Sequence, residues 1–332
     1  MEVPSRSSES SREIPEYARD MKAWVNGALV PLEEARVSLF DAGFQHAIGL
    51  FETMHARHGR VFRLMAHLER LRESAEQLRL MEVIRIGPLA RAVEDTLEAS
   101  ALAHARVRLT MTGGEMMLAP GVTKRSDVRH DPTIAIVPQA ATLYPEALYE
   151  RGVRVRVATG RQNALDAFAG HKTLWYWPRL AELQEASRLG CSESLWFSVS
   201  NRLASGCVSN VFVVRAGMLL TPTARGEAES CPILPGITRH AVIDLARRLG
   251  LEVRMSATIS IDDVLSADEL FLTNSSWGIL PVTHVEAGTI GPGTVGALTR
   301  HLREEYEALV EAETTSAEGV SGIDPDEAAA EG

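Results

Sequence analysis

The chain has 332 residues, 45% of them apolar, and a formal net charge of −10. That length accommodates about two domains with a substantial core, and the negative balance argues against a nucleic-acid partner. No apolar run reaches the length needed to span a membrane, and three cysteines (Cys191, Cys207, Cys231) without metal-ligand spacing point to a reduced, cytoplasmic protein.

Residues 1–20 lack the apolar stretch of a secretory signal and read as a disordered leader. "MKAWVNGALVPL" then reads as two short strands around Asn26-Gly27, a type I′ hairpin signal. "GLFETMHARHGRVFRL" reads as a second strand pair turning near His58-Gly59. "HLERLRESAEQLRL" is helical, with Leu68, Leu71, Ala75 and Leu78 on one face, and "LARAVEDTLEASAL" is a second amphipathic helix. Two strands, "ARVRLTMT" and "PTIAIVPQ", close a small α+β region over 21–140. Residues 141–152 read as a connector. From 153 to 311 the pattern is richer in strands: "VRVRVAT", "SLWFSVS", a hairpin "NVFVVRAGMLLTP" turning at Ala216-Gly217, "LEVRMSATI" and "LFLTNSS". Helices are predicted at "WPRLAELQEASRLG", at "ITRHAVIDLARRLG" ending before Gly250, and at "IDDVLSADE". Residues 312–332 read as an acidic disordered tail.

Four places carry candidate chemistry. Lys172 in "FAGHKTLWYW" has aromatic neighbours that predict a partly buried amine. Burial lowers a lysine pKa and frees the neutral amine that Schiff-base formation needs; the same neighbours also suit a plain core. Arg70 is either a surface arginine or a phosphate ligand. "LPGITR" at 234–239 opens a helix whose first N–H groups have no internal partner, a ready anion site, or an ordinary turn. "NSS" at 274–276 follows a strand, where polar residues either line a site or form a loop. The ten histidines are scattered, and His55 and His58 gain no carboxylate or cysteine at ligand spacing, so no metal site is expected.

Six stretches, in this order, resemble the class IV aminotransferases, the fold-type IV enzymes that use pyridoxal 5′-phosphate: "FDAGFQHAIGLFET", "HLERLRESAEQL", "GHKTLWYW", "LASGCVSNVFVV", "LLTPTA…ILPGITR" and "ADELFLTNSSWGILPV". That family includes branched-chain and D-amino acid aminotransferases and 4-amino-4-deoxychorismate lyases. The resemblance implies an α+β, two-domain D-amino acid aminotransferase-like fold, with a small α/β N-terminal domain and a larger β-rich C-terminal domain. It also implies a homodimer. Lys172 matches the lysine that holds the cofactor covalently. Arg70, Ile237, Thr238 and Ser275 match its phosphate ligands. Phe51, Thr53 and His55, sharing one strand face by period two, and Ser276 are expected to meet substrate. Amino transfer between an amino acid or amine and a 2-oxo acid is the implied reaction. A lyase releasing pyruvate and 4-aminobenzoate is the alternative, and a cofactor-binding protein with weak or lost catalysis a third.

Three positions depart from the family pattern. Ser205, five residues before Asn210, takes the place of the glutamate that meets the ring nitrogen, so a neutral ring is expected. Glycines in "TGG" (112–114) stand where many members carry arginine, with Arg108 a weak substitute, and His55 stands where several carry Arg or Lys. The substrate carboxylate is left without an assigned partner.

Overall fold

The computed structural model describes residues 21–81, 83–115, 132–228, 231–256 and 258–315. The expected leader, and the tail beyond 315, lie outside the described residues.

The chain opens with strands β1 (Lys22–Val25) and β2 (Ala28–Pro31), a short helix α1 (Ala42–His46), and strands β3 (Gly49–Arg57) and β4 (Arg60–Val61). Helices α2 (Leu64–Gln77) and α3 (Ile86–Ser100) precede β5 (His104–Thr112) and β6 (Ile134–Ala140). These strands form one antiparallel sheet in the order β2-β1-β6-β5-β3-β4. Its two tight turns put Asn26 and Gly27, and His58 and Gly59, at positive φ, as a type I′ connection demands. One face packs on the helices: Leu50, Met54 and Ala56 of β3 meet Leu68, Leu71 and Ala75 of α2 and Val93 and Leu97 of α3. The opposite face of β3 carries Phe51, Thr53 and His55.

After α4 (Glu146–Arg151) come β7 (Val153–Gln162), α5 (Trp177–Arg188), β8 (Glu193–Ser198), β9 (Leu203–Ser205), β10 (Asn210–Arg215) and β11 (Met218–Thr221). The chain continues through α6 (Ile237–Arg248), β12 (Val253–Met255), α7 (Ile261–Leu265), β13 (Glu269–Asn274), β14 (Gly278–Val285), β15 (Gly288–Thr289) and α8 (Ala297–Thr315). A second sheet of nine strands runs β12-β11-β10-β13-β14-β7-β8-β9, with β15 on β14. It is mixed, parallel where β7 meets β14 and β8 and where β12 meets β11. Both faces are covered, which explains why its strands read as nearly continuous apolar runs. Val211, Val213, Leu270 and Leu272 enter one core, while Phe212, Phe271 and Ile279 enter another with α6 and α8. Phe212 and Phe271 stack there with centroids 4.9 Å apart.

Two expectations need correcting. The stretch 141–152 is not a plain connector, because Glu146–Arg151 forms α4 and packs on β14. The last helix also runs through Thr315, four residues into the span expected to be tail. Its buried residues Leu302, Tyr306, Val310 and Thr314 recur every four residues and hold it on the sheet.

Candidate active site

A cavity of about 730 Å³ lies between the two sheets, lined by Phe51, Thr53 and Arg108 from the first and by Ser205, Asn274 and Ser275 from the second. Among the described residues, Lys172 and five arginines line it: Arg70, Arg106, Arg108, Arg161 and Arg179. The one carboxylate in that described lining is Asp166. In a chain with ten more acids than bases, this concentrates positive charge in one concavity.

One end is an anion cup. Gly236 caps α6 in an extended conformation and no side chain caps the helix, so the N–H groups of Ile237 and Thr238 are left for a ligand. Only glycine fits at 236: a Cβ would collide with Asn210 Oδ1, while Asn210 Nδ2 donates to Leu234 O at 2.9 Å and fixes the turn. Arg70 reaches the cup from α2. Its Nε and Nη2 donate to Glu52 at 2.9 and 2.5 Å, and Nη1 donates to Pro235 O at 2.9 Å. That uses three of five N–H groups and leaves at most two for a bound oxygen. Glu52 is fully buried on the helix-packed face of β3 and also meets His67 Nδ1 at 2.8 Å. Burial opposes its charge, but Arg70 and His67 outweigh burial and hold the carboxyl down at about 2.

Lys172 stands on the loop between β7 and α5, and its backbone is sewn to the other sheet. Lys172 O accepts from Phe51 N, and Leu174 N donates to Gly49 O, both at 2.9 Å. Gly49 has no room for a side chain between Met111 O and Leu174. The amine Nζ lies 4.5 Å from the Phe51 ring centroid and 5.8 Å from that of Tyr176. Burial, reinforced by Arg70 against the opposing pull of Glu52, lowers its pKa to about 7. The neutral amine is therefore accessible near neutrality.

Arg108 forms part of the wall, its Cζ 3.5 Å from the Phe51 centroid and its Nε donating to Thr110 Oγ1 at 3.2 Å. None of these partners is a carboxylate, and burial and Arg106 depress its pKa to about 10. Two further polar atoms of the lining, Thr273 Oγ1 and His171 Nδ1, are buried without a hydrogen-bond partner among the described residues.

Of the residues expected from the sequence, Lys172, Arg70, Ser205, Ile237, Thr238, Ser275, Ser276, Phe51 and Thr53 all line this cavity. His55 does not. It follows Phe51 by four residues along β3, about 13 Å at strand rise, and its surroundings are Arg57, Glu307 and His104 instead. Sequence reading missed Arg179, which gives no motif signal, and Glu52, which was visible within "FET" but whose contact with Arg70 depends on how α2 packs. It undervalued Arg108, whose spacing along β5 from Arg106 was the available clue.

A family model described as amino-transferase class IV matches residues 49–285. The branched-chain-amino-acid aminotransferase of Escherichia coli K12 is 31% identical over 300 residues, 88% of this chain and 93% of that protein. Among solved structures, a T.th. branched-chain amino acid aminotransferase with pyridoxamine 5′-phosphate superimposes with a TM-score of 0.78 at 27% identity, covering 88% of this chain and 95% of the other. The 4-amino-4-deoxychorismate lyase of Pseudomonas aeruginosa matches with a TM-score of 0.73 at 27% identity, covering 86% and 98%.

Proposed function

The chain belongs to the class IV aminotransferase family, and we propose that it is a pyridoxal 5′-phosphate enzyme moving an amino group between an amino acid and a 2-oxo acid. The observation that carries this reading is an amine, Lys172 Nζ, poised near neutrality in the same cavity as an uncapped helix N-terminus. The residues present fit the cofactor. The N–H groups of Ile237 and Thr238, the remaining N–H groups of Arg70 and the Ser275 hydroxyl suit a phosphate dianion. When bound, the cofactor supplies an aldehyde that condenses with amines and a conjugated ring that withdraws electron density from the substrate Cα.

Lys172 Nζ is the attachment point. As a neutral amine it also takes the proton from the substrate Cα and returns one. Arg108, without a carboxylate partner among the described residues, is the ligand for a substrate carboxylate, with Phe51 and Tyr176 packed edge to face at 5.3 Å as the apolar wall. Thr53 and Ser276 border the substrate space. A homodimer is supported by the exposed cluster Leu39, Phe40 and Phe44, each about 70% exposed, an apolar patch suited to a second copy. A cytoplasmic location is supported by three free cysteines, and no helix among the described residues is long and apolar enough to cross a membrane. Ser205, a hydroxyl where family members carry a carboxylate, favours elimination as the second reading, so the lyase reaction stays in the test.

Purified protein loaded with pyridoxal 5′-phosphate, then reduced with borohydride and mapped by mass spectrometry, should carry the label on Lys172. Single-turnover screens with L- and D-amino acids, amines and aminodeoxychorismate should release a 2-oxo acid from an amino acid. Release of 4-aminobenzoate and pyruvate alone would replace the transferase with the lyase. Absence of any label on Lys172 would sink both.

A further inference from the structure

A cation of the cavity lining not yet used is Arg179, the third residue of α5. Its Nη1 donates to Ser205 Oγ at 3.1 Å and to Gly206 O at 2.8 Å, and its Nη2 donates to Gln162 Oε1 at 3.0 Å. The guanidinium carbon sits 5.0 Å from the Trp196 ring centroid. None of these partners carries a negative charge. Three of its five N–H groups are used, and two are left. Ser205 Oγ gives its own proton to Gly206 O at 2.9 Å.

We propose that Arg179, acting with Ser205 at the ring nitrogen of pyridoxal 5′-phosphate, holds that nitrogen without a proton. The inference rests on the cofactor reading above and names a residue that reading does not use. A protonated pyridine nitrogen must donate a hydrogen bond, whereas an unprotonated one must accept. Arg179 offers donors only; Ser205 Oγ has committed its proton to Gly206 O and already accepts from Arg179 Nη1, so the guanidinium, not the hydroxyl, sets the sign. A fixed positive charge nearby also disfavours a second one.

The other charged and titratable groups do not reverse the sign: Asp166, the one carboxylate of the described lining, is exposed and its Oδ1 accepts from Phe168 N, while Arg161 adds a further positive charge. Lys172 adds positive charge or none. Tyr176 is committed through its hydroxyl to Cys207 O at 3.3 Å. The Cys207 thiol is a neutral acceptor for Trp196 Nε1. The buried carboxylate of Glu193 on β8 is already occupied: Oε1 accepts from Ser194 N and Cys207 N, and Oε2 from Val208 N and Ser209 Oγ. It is not among the lining residues. A neutral ring accepts less of the charge leaving Cα, so the amino transfer proposed above should run more slowly than with a protonated ring.

The test uses the holoenzyme loaded with cofactor labelled with nitrogen-15 in the ring and follows the nitrogen by NMR across the neutral pH range. Wild-type protein should show an unprotonated nitrogen throughout. Arg179→Met should move its titration midpoint upward by about one pH unit or more, the size expected for removing a like charge at close range. Ser205→Glu, which brings in a carboxylate while leaving α5 intact, should give the protonated signal. A protonated nitrogen in the wild type, or a midpoint unmoved by Arg179→Met, overturns the proposal. Loading that never yields a borohydride-stable adduct on Lys172 overturns the cofactor reading instead, and the proposal with it.

Discussion

Lys172 shows what the cavity costs the empty protein. Its folded pKa of about 7 lies below the ordinary lysine value of 10.5. Between those two values the unfolded chain keeps a proton that the folded chain releases, so the stability of cofactor-free protein rises with pH across that window. Below about 7 both states are protonated and the whole penalty stands. Lys172→Met should therefore make the cofactor-free protein more stable at neutral pH by a few kcal/mol, at about 1.4 kcal/mol for each pH unit separating the two values. The advantage should fade as pH approaches the lysine value of the unfolded chain. Urea titrations at neutral and high pH check this, and equal stabilities at both would mean the ammonium is not penalised. At this scale "LPGITR" was readable as a helix start with free N–H groups, but the stretch alone did not separate an anion site from an ordinary turn. Arg179 was not legible, because what gives it meaning is Ser205, 26 residues away across a sheet edge. His55 was misread because period two fixes a face and not how far the cavity runs along it.

Helix α6 depends on a clamp just behind its first turn. Arg239 is fully buried, its Nη1 and Nη2 2.6 and 2.8 Å from the Glu227 carboxylate, its Nη2 also donating to Pro222 O at 2.9 Å and its Nε to Thr221 Oγ1 at 3.2 Å. The loop before α6 is thereby tied to the helix that presents Ile237 and Thr238. Removing one partner of a buried pair costs about 3–5 kcal/mol, with the lower end expected here because Glu227 keeps some contact with water. Arg239→Met should lower stability by that amount and weaken cofactor binding. Arg239→Met with Glu227→Gln should recover part of the stability, read by denaturant midpoints. Glu227 is held down at about 2, burial being outweighed by His240 and Arg239. Being depressed, it stabilises the fold above the ordinary carboxylate value and loses that contribution as pH falls toward 2. Elements were legible where one periodicity ruled. The run "EEYEALVEAETT" hid α8, because its carboxylates masked a four-residue apolar spacing. Strand β14 was hidden by Pro281, which argues against a central strand. It is tolerated because pairing with β7 begins only at Val282.

Taken whole, the molecule is an acidic chain wrapped around a basic cavity, with Lys172 hung on a backbone bridge between two sheets. Fold class was readable because six separated stretches had to be consistent with one architecture. The interlock of Lys172 O with Phe51 N was not, since no local rule joins residues so far apart. The helix N–H groups and arginines of the lining recognise oxyanion charge rather than a ring, so free phosphate should compete for them. Loading of pyridoxal 5′-phosphate should weaken as ionic strength rises, and at equal ionic strength should be weaker in phosphate than in a zwitterionic buffer. Absorbance titrations in the two buffers test this, and identical apparent affinities would show that the α6 cup does not hold phosphate oxygens. A cup that takes any phosphate would be indifferent to provenance: on the proposed reading, a preparation purified in phosphate would begin life with a competitor seated where its coenzyme must go.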